Sequence, residues 1–175
     1  MVIAASLALI AVATLMFFGW GVAFLKLLRL EPANWPLTVA MGMATVVFLG
    51  GILNLTRLAY PVALAIIAVI GIVLAFRASV SFERPPLIIG LLIAIIVIFT
   101  IATQLPPSIY NFHDDYQKYF AYPVRMVETG TVFGSPLSAM GLQTLGAQAF
   151  LDGFVVAFFP IAYINGVDAV FGLFL

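Results

Sequence analysis

AASLALIAVATLMFFGWGVAFL, Ala4 to Leu25, is the stretch that decides the fold class. It holds no charged side chain, and the chain carries none from Met1 up to Lys26. At about 1.5 Å rise per residue, roughly 20 apolar residues make a helix as long as a bilayer's hydrocarbon core is thick. A secretory signal peptide is shorter and starts with basic residues, which the Met1 end lacks. The stretch therefore reads as a membrane-crossing helix.

Moving outward, the same pattern recurs. Lys26, Arg29 and Glu31 form a charged turn before Pro32, and charge is then absent until Arg57, which predicts a second span over residues 36–53. Pro61, suited to a first helical turn, opens a third span over 61–76. Arg77, Glu83 and Arg84 form the next turn, and Pro85 and Pro86 precede a fourth span over 87–101. Gly42, Gly50 and Gly51 are expected to let neighbouring helices approach closely. Trp20 and Trp35 bracket the first turn as an aromatic belt would.

Composition agrees. Of 175 residues, 65% are hydrophobic and 8% charged, with 7 Lys+Arg balancing 7 Asp+Glu; mean hydropathy is +1.23. A soluble domain is about 25% charged. So few charges exclude most soluble folds, and a nucleic-acid binder too, since that needs a dense basic face. The absence of cysteine excludes disulfides and thiolate metal sites. The expected fold is all-α: a polytopic transmembrane helical bundle of about five spans, with an extracytoplasmic loop containing short amphipathic helices. Residues 1–104 form a four-helix membrane region, 105–152 the loop, and 153–175 a fifth, truncated segment. The apolar ending from Phe171 to Leu175 has no charged anchor, which suggests a natural protein that continues.

Basic residues set the orientation. Lys26, Arg29, Arg77 and Arg84 occupy the first and third turns, whereas the second turn holds Arg57 alone. The positive-inside rule then puts the N-terminus and the 105–152 loop outside a prokaryotic plasma membrane. Residues 1–105 carry a net charge of +3 and residues 106–175 a net charge of −3. Polar chemistry is concentrated behind the fourth span.

That polar segment begins PPSIYNFHDDYQKYFAYPVRMVETG, Pro106 to Gly130. Asn111 or Asp114 is placed to cap a helix running toward Glu128, with a kink or break at Pro123 and Gly130 as terminator. A second amphipathic helix is expected over residues 142–152. Asp114 and Asp115 have two chemical uses: a general base toward an acceptor hydroxyl, or ligands for a divalent cation such as Mg or Mn beside a phosphate. Their structural alternative is a helix N-terminus, where carboxylates meet free amides and the positive dipole end. His113 suits a hydrogen bond to acceptor or phosphate, or is a solvated loop residue. Lys118 and Arg125 suit a lipid-linked phosphate, or anchor the interface by snorkelling. Tyr116, Tyr119 and Tyr122 suit stacking on a sugar ring or the headgroup level. Asp152 is expected to face water, and Asn165 and Asp168 to face a bundle interior or aqueous cavity.

The run NFHDDYQKYFAYPVRMVETG resembles the first extracytoplasmic loop of the GT-C glycosyltransferase superfamily. Its acidic pair, Tyr119, Pro123 and the Val127-Glu128-Thr129-Gly130 ending carry the resemblance. About 40 of the 175 residues are covered. The resemblance implies an inverting transfer of sugar from a polyprenyl-phosphate carrier to a glycan, lipid or protein acceptor. Asp114 would then be the base, with Asp115 as alternative base or cation ligand, and His113, Lys118, Tyr119 and Arg125 would contact substrate. No cofactor is firmly implied. Asp-Asp replaces the Asp-Glu of some members of the superfamily. A transporter component and a non-catalytic integral membrane partner are the competing readings.

Overall fold

The computed structural model describes residues 2–32, 34–78, 89–98, 120–133 and 147–164. The described residues fold as an all-α bundle of six helices. These are α1 (Val2–Leu27), α2 (Trp35–Leu55), α3 (Pro61–Phe76), α4 (Ile89–Ile98), α5 (Ala121–Thr129) and α6 (Ala147–Phe158), followed by a short 3-10 turn at Ile161–Tyr163.

Local chemistry fixes the helix ends. Asn34 caps α2, its side chain accepting from the Leu37 amide at 2.9 Å, and Pro36 follows in the first turn. Pro61 opens α3 behind an extended Tyr60. The C-termini of α1 and α2 share one device. Leu30 donates to the Leu25 carbonyl (2.9 Å) and Arg29 to Lys26 (3.0 Å); Leu58 donates to Leu53 (2.8 Å) and Arg57 to Asn54 (3.2 Å). Each is a Schellman closure, with Arg29 and Arg57 at φ 59° where glycine is usual. A cationic residue at either position is favoured by the negative end of the helix dipole.

Close backbone contact sets the packing of α1, α2 and α3. A Cβ on Gly21 would strike the Thr38 carbonyl, and one on Gly42 the Phe17 carbonyl, so α1 and α2 run antiparallel. Gly19 faces the Gly71 carbonyl and Ala75, while Gly71 faces Met16 and Trp20, so α3 runs parallel to α1. The Trp20 indole donates to the Ile67 carbonyl at 3.0 Å. Trp20 therefore points into the α1–α3 seam and not to a headgroup belt. Of the three glycines expected to permit close approach, Gly42 meets α1 and Gly50 meets the Phe150 ring, but Gly51 faces open space.

The core joins Phe17, Val39, Val46, Leu64, Met126 and Phe150 from five helices. The outer faces are apolar as well: Phe48 is 69% exposed, Val62 71% and Phe76 77%, and α4 exposes Leu91, Leu92 and Ile96.

About five spans were expected; among the described residues two helices, Ala8–Leu27 within α1 and Trp35–Leu55, are long and apolar enough to cross a membrane. The reason is length. The third expected span is present with its predicted bounds, but its 16 residues cover only about 24 Å, short of the ~30 Å hydrocarbon thickness. The described part of the fourth is Ile89–Ile98. The proposed fifth segment starts inside α6, which ends at Phe158 before Pro160; a 3-10 turn follows instead of a continuous helix. Residues 165–175, with Asn165 and Asp168, lie outside the described residues.

The amphipathic expectations are met in part. Gly130 ends α5 in the left-handed conformation at φ 77°. Pro123 falls in the first turn of α5, which starts at Ala121, where no intrahelical donor is lost; the expected helical stretch before Phe120 lies outside the described residues. The α6 helix continues through Gly153 to Phe158, six residues beyond its expected end.

Candidate functional site at the α5 end of the bundle

The turn between α2 and α3 receives α5. The Ala59 amide donates to the Gly130 carbonyl at 2.9 Å. Thr131 Oγ1 donates to the Asn54 carbonyl at 2.9 Å, and the Val132 amide donates to Asn54 Oδ1 at 3.2 Å. Gly130 permits the approach twice over. Its positive φ disfavours other residues, and a Cβ there would collide with the Arg57 carbonyl and press on Tyr60. Asn54, Thr131 and Val132 are each at most 2% exposed, so the latch is desolvated. Asn54 Nδ2 has no hydrogen-bond partner among the described residues.

On its other side α5 packs against α6. Met126 is fully buried and its Cε fills the space beside Gly153. Phe150 and Phe154 stack edge to face, with centroids 5.4 Å apart. Asp152 is 4% exposed and engaged in an interaction, which corrects the expectation that it faces water. Because α6 passes through this position, residue 152 shares the buried side with Ala149 and Gly153.

Arg125 lies on α5 with its guanidinium carbon 6.0 Å from the Tyr122 ring centroid. Its Nη1 is buried and has no hydrogen-bond partner among the described residues. A guanidinium nitrogen withdrawn from water without an acceptor is costly, so this atom suits an anionic oxygen. Asp114, Asp115, His113, Lys118 and Tyr119 lie outside the described residues. Of the sequence-predicted site, Arg125 alone is on view. Among the described residues no group of three or more His, Cys, Asp or Glu side chains is placed to hold a metal.

Below the α5–α6 pair a small apolar groove opens between α1, α3 and α6. Leu9, Ala13 and Met16 form one wall, Ala68 another, and Leu151 and Phe158 a third; no polar atom lines it.

Sequence reasoning missed Asn54 and Thr131. A single amide side chain between Leu53 and Leu55 at the end of an apolar helix was the available signal, since such a group needs a partner.

No protein-family model, curated protein or solved structure matches the chain.

Proposed function

We propose that this chain is a non-catalytic integral membrane partner: a helical module that sits in the bilayer and offers the α5–α6 platform at one end to a larger assembly. The observation that carries this reading is that α2 and α3 are apolar on both sides. Val39, Val46 and Leu64 are buried while Phe48, Ile52, Val62 and Ile66 are exposed. A core helix of a soluble protein is mostly buried; only six of the 21 residues of α2 are. Outward apolar surface on this scale needs lipid or protein against it. Lys26 lies in the last turn of α1, Arg29 just beyond it and Arg77 at the C-cap of α3, so they share one end of the bundle. The α5 latch lies at the opposite end, which favours a plasma-membrane orientation with α5 outside.

Single cysteines test this cleanly, because the natural chain has none. Glu31→Cys and Glu128→Cys should resist alkaline extraction from membranes and label from opposite faces. Labelling from one face, or release into the soluble fraction, would sink the reading.

The buried Nη1 of Arg125 favours a second reading, the lipid-phosphate-sugar transferase implied by the GT-C resemblance. There Asp114 or Asp115 takes the acceptor proton, with a divalent cation optional, and Arg125 meets the carrier phosphate. Joint Asp114→Asn and Asp115→Asn replacement, with membrane insertion unchanged, should abolish sugar transfer. Transfer that persists removes the acid pair from the mechanism.

A further inference from the structure

We propose that the end of the bundle carrying Lys26, Arg29 and Arg77 binds the headgroups of anionic phospholipids and gathers them from a mixed bilayer. This preference rests on the bilayer reading of α1 and α2 and deepens it by naming the lipid class that one end takes.

The fold brings these cations to one level. Gly19 of α1 packs against the backbone of parallel α3 between Gly71 and Ala75. Counting on from that contact, Lys26 and Arg77 differ in height by about 4.5 Å along the helix axis. Arg29 stays close to them because the closure of α1 folds the chain back. Its amide donates to the Lys26 carbonyl at 3.0 Å, and the Leu30 amide to the Leu25 carbonyl at 2.9 Å. All three cations are exposed, and Glu31 is the acidic residue at this end among the described residues.

Apolar surface interleaves with the charge. Leu27 is 78% exposed and Phe76 77%, and Leu28 and Leu30 stand open beside them. The membrane-length stretch of α1 ends at Leu27, which puts this group of side chains where hydrocarbon gives way to headgroups. Apolar side chains on the hydrocarbon side, with cations reaching the phosphates, complement an anionic lipid surface. A soluble acidic partner would match the charges but leave the four apolar side chains unused. A cation near an anionic surface is worth about fivefold in binding, so a net charge of +2, after Glu31, gives roughly 30-fold over a zwitterionic lipid.

Trp35 starts α2 at this same end, next to its Asn34 cap, and serves as the reporter. The full chain, with Trp20→Phe to leave one indole, is reconstituted in phosphatidylcholine vesicles containing dibrominated phosphatidylglycerol or dibrominated phosphatidylcholine. Quenching of Trp35 should show phosphatidylglycerol preferred by roughly 30-fold. Arg29→Gln should lower the preference about fivefold, and joint Lys26→Gln, Arg29→Gln and Arg77→Gln should abolish it. Glu31→Gln should raise it about fivefold, a gain that a damaged fold would not produce. Arg57→Gln is the control: Arg57 closes α2 with the same φ of 59° at the opposite end, and its loss should change nothing. Inorganic phosphate or a soluble polyglutamate peptide, each compared with sodium chloride at equal ionic strength, should not remove the preference. Equal quenching by the two lipids, equal effects of the Arg29 and Arg57 variants, no gain in Glu31→Gln, or displacement by phosphate or peptide would overturn the proposal. Alkaline extraction of the same vesicles reads insertion separately. Equal quenching with the chain still inserted defeats the lipid preference alone, whereas release into the soluble fraction defeats the bilayer reading with it.

Discussion

Replacing Asn54 by alanine should loosen α5 from the bundle while leaving α1, α2 and α3 packed. The side chain's Oδ1 accepts from the Val132 amide at 3.2 Å, at a residue only 1% exposed. Removing it leaves a buried backbone donor unsatisfied, which costs about 1–3 kcal/mol. The loss of Nδ2 costs nothing further, because that nitrogen has no partner among the described residues to lose. The Asn54 backbone carbonyl, which accepts from Thr131 Oγ1, remains in place, so the latch is weakened and not abolished. A central value of about 2 kcal/mol shifts the opening equilibrium about 30-fold. The assay is thiol labelling of Phe133→Cys, a half-buried position just past the latch, in an otherwise cysteine-free chain. Its labelling rate should rise by about that factor in the Asn54→Ala background, while a cysteine at Gly51, which faces open space, should label at an unchanged rate. An increase below threefold would mean that the buried amide is satisfied some other way, and the latch argument would fail.

Four further outcomes follow from the packing and the caps. Gly42→Val should destabilise the bundle by several kcal/mol in detergent unfolding, because its Cβ collides with the Phe17 carbonyl. Gly51→Ala, facing open space, should be neutral or stabilise by up to about 1 kcal/mol through helix propensity alone. Arg57→Gly should unfold at higher denaturant than Arg57→Ala by about 1 kcal/mol, since both lose the cation but only glycine relaxes the φ of 59°. Trp20→Phe removes the 3.0 Å bond to the Ile67 carbonyl and should cost about 1 kcal/mol in the same unfolding measurement, with little change in helicity by circular dichroism.

The apolar runs and the prolines and charges between them were enough to place α1, α2 and α3 and to name Gly130 as the stop of α5. These features are local: a helix end depends on a few neighbouring residues, and apolar periodicity is written along the chain. The span count was not local. It turned on whether 16 residues suffice and on how far Pro160 cuts the last apolar run, and the sequence pattern treats short and long apolar helices alike. Arg29 and Arg57 at left-handed closures were also hidden, because arginine carries no turn signal of its own.

The sequence by itself determined that this protein is helical and apolar, since 8% charge and long uncharged runs admit little else. Only the tertiary structure decided which glycines touch another backbone, that Asp152 is buried, and that Asn54 meets Thr131 and Val132 across 77 and 78 residues of chain. The physical reason is range. Hydrophobicity and helix ends are set by neighbours in sequence, whereas desolvated hydrogen bonds and close crossings exist only once distant segments share a surface.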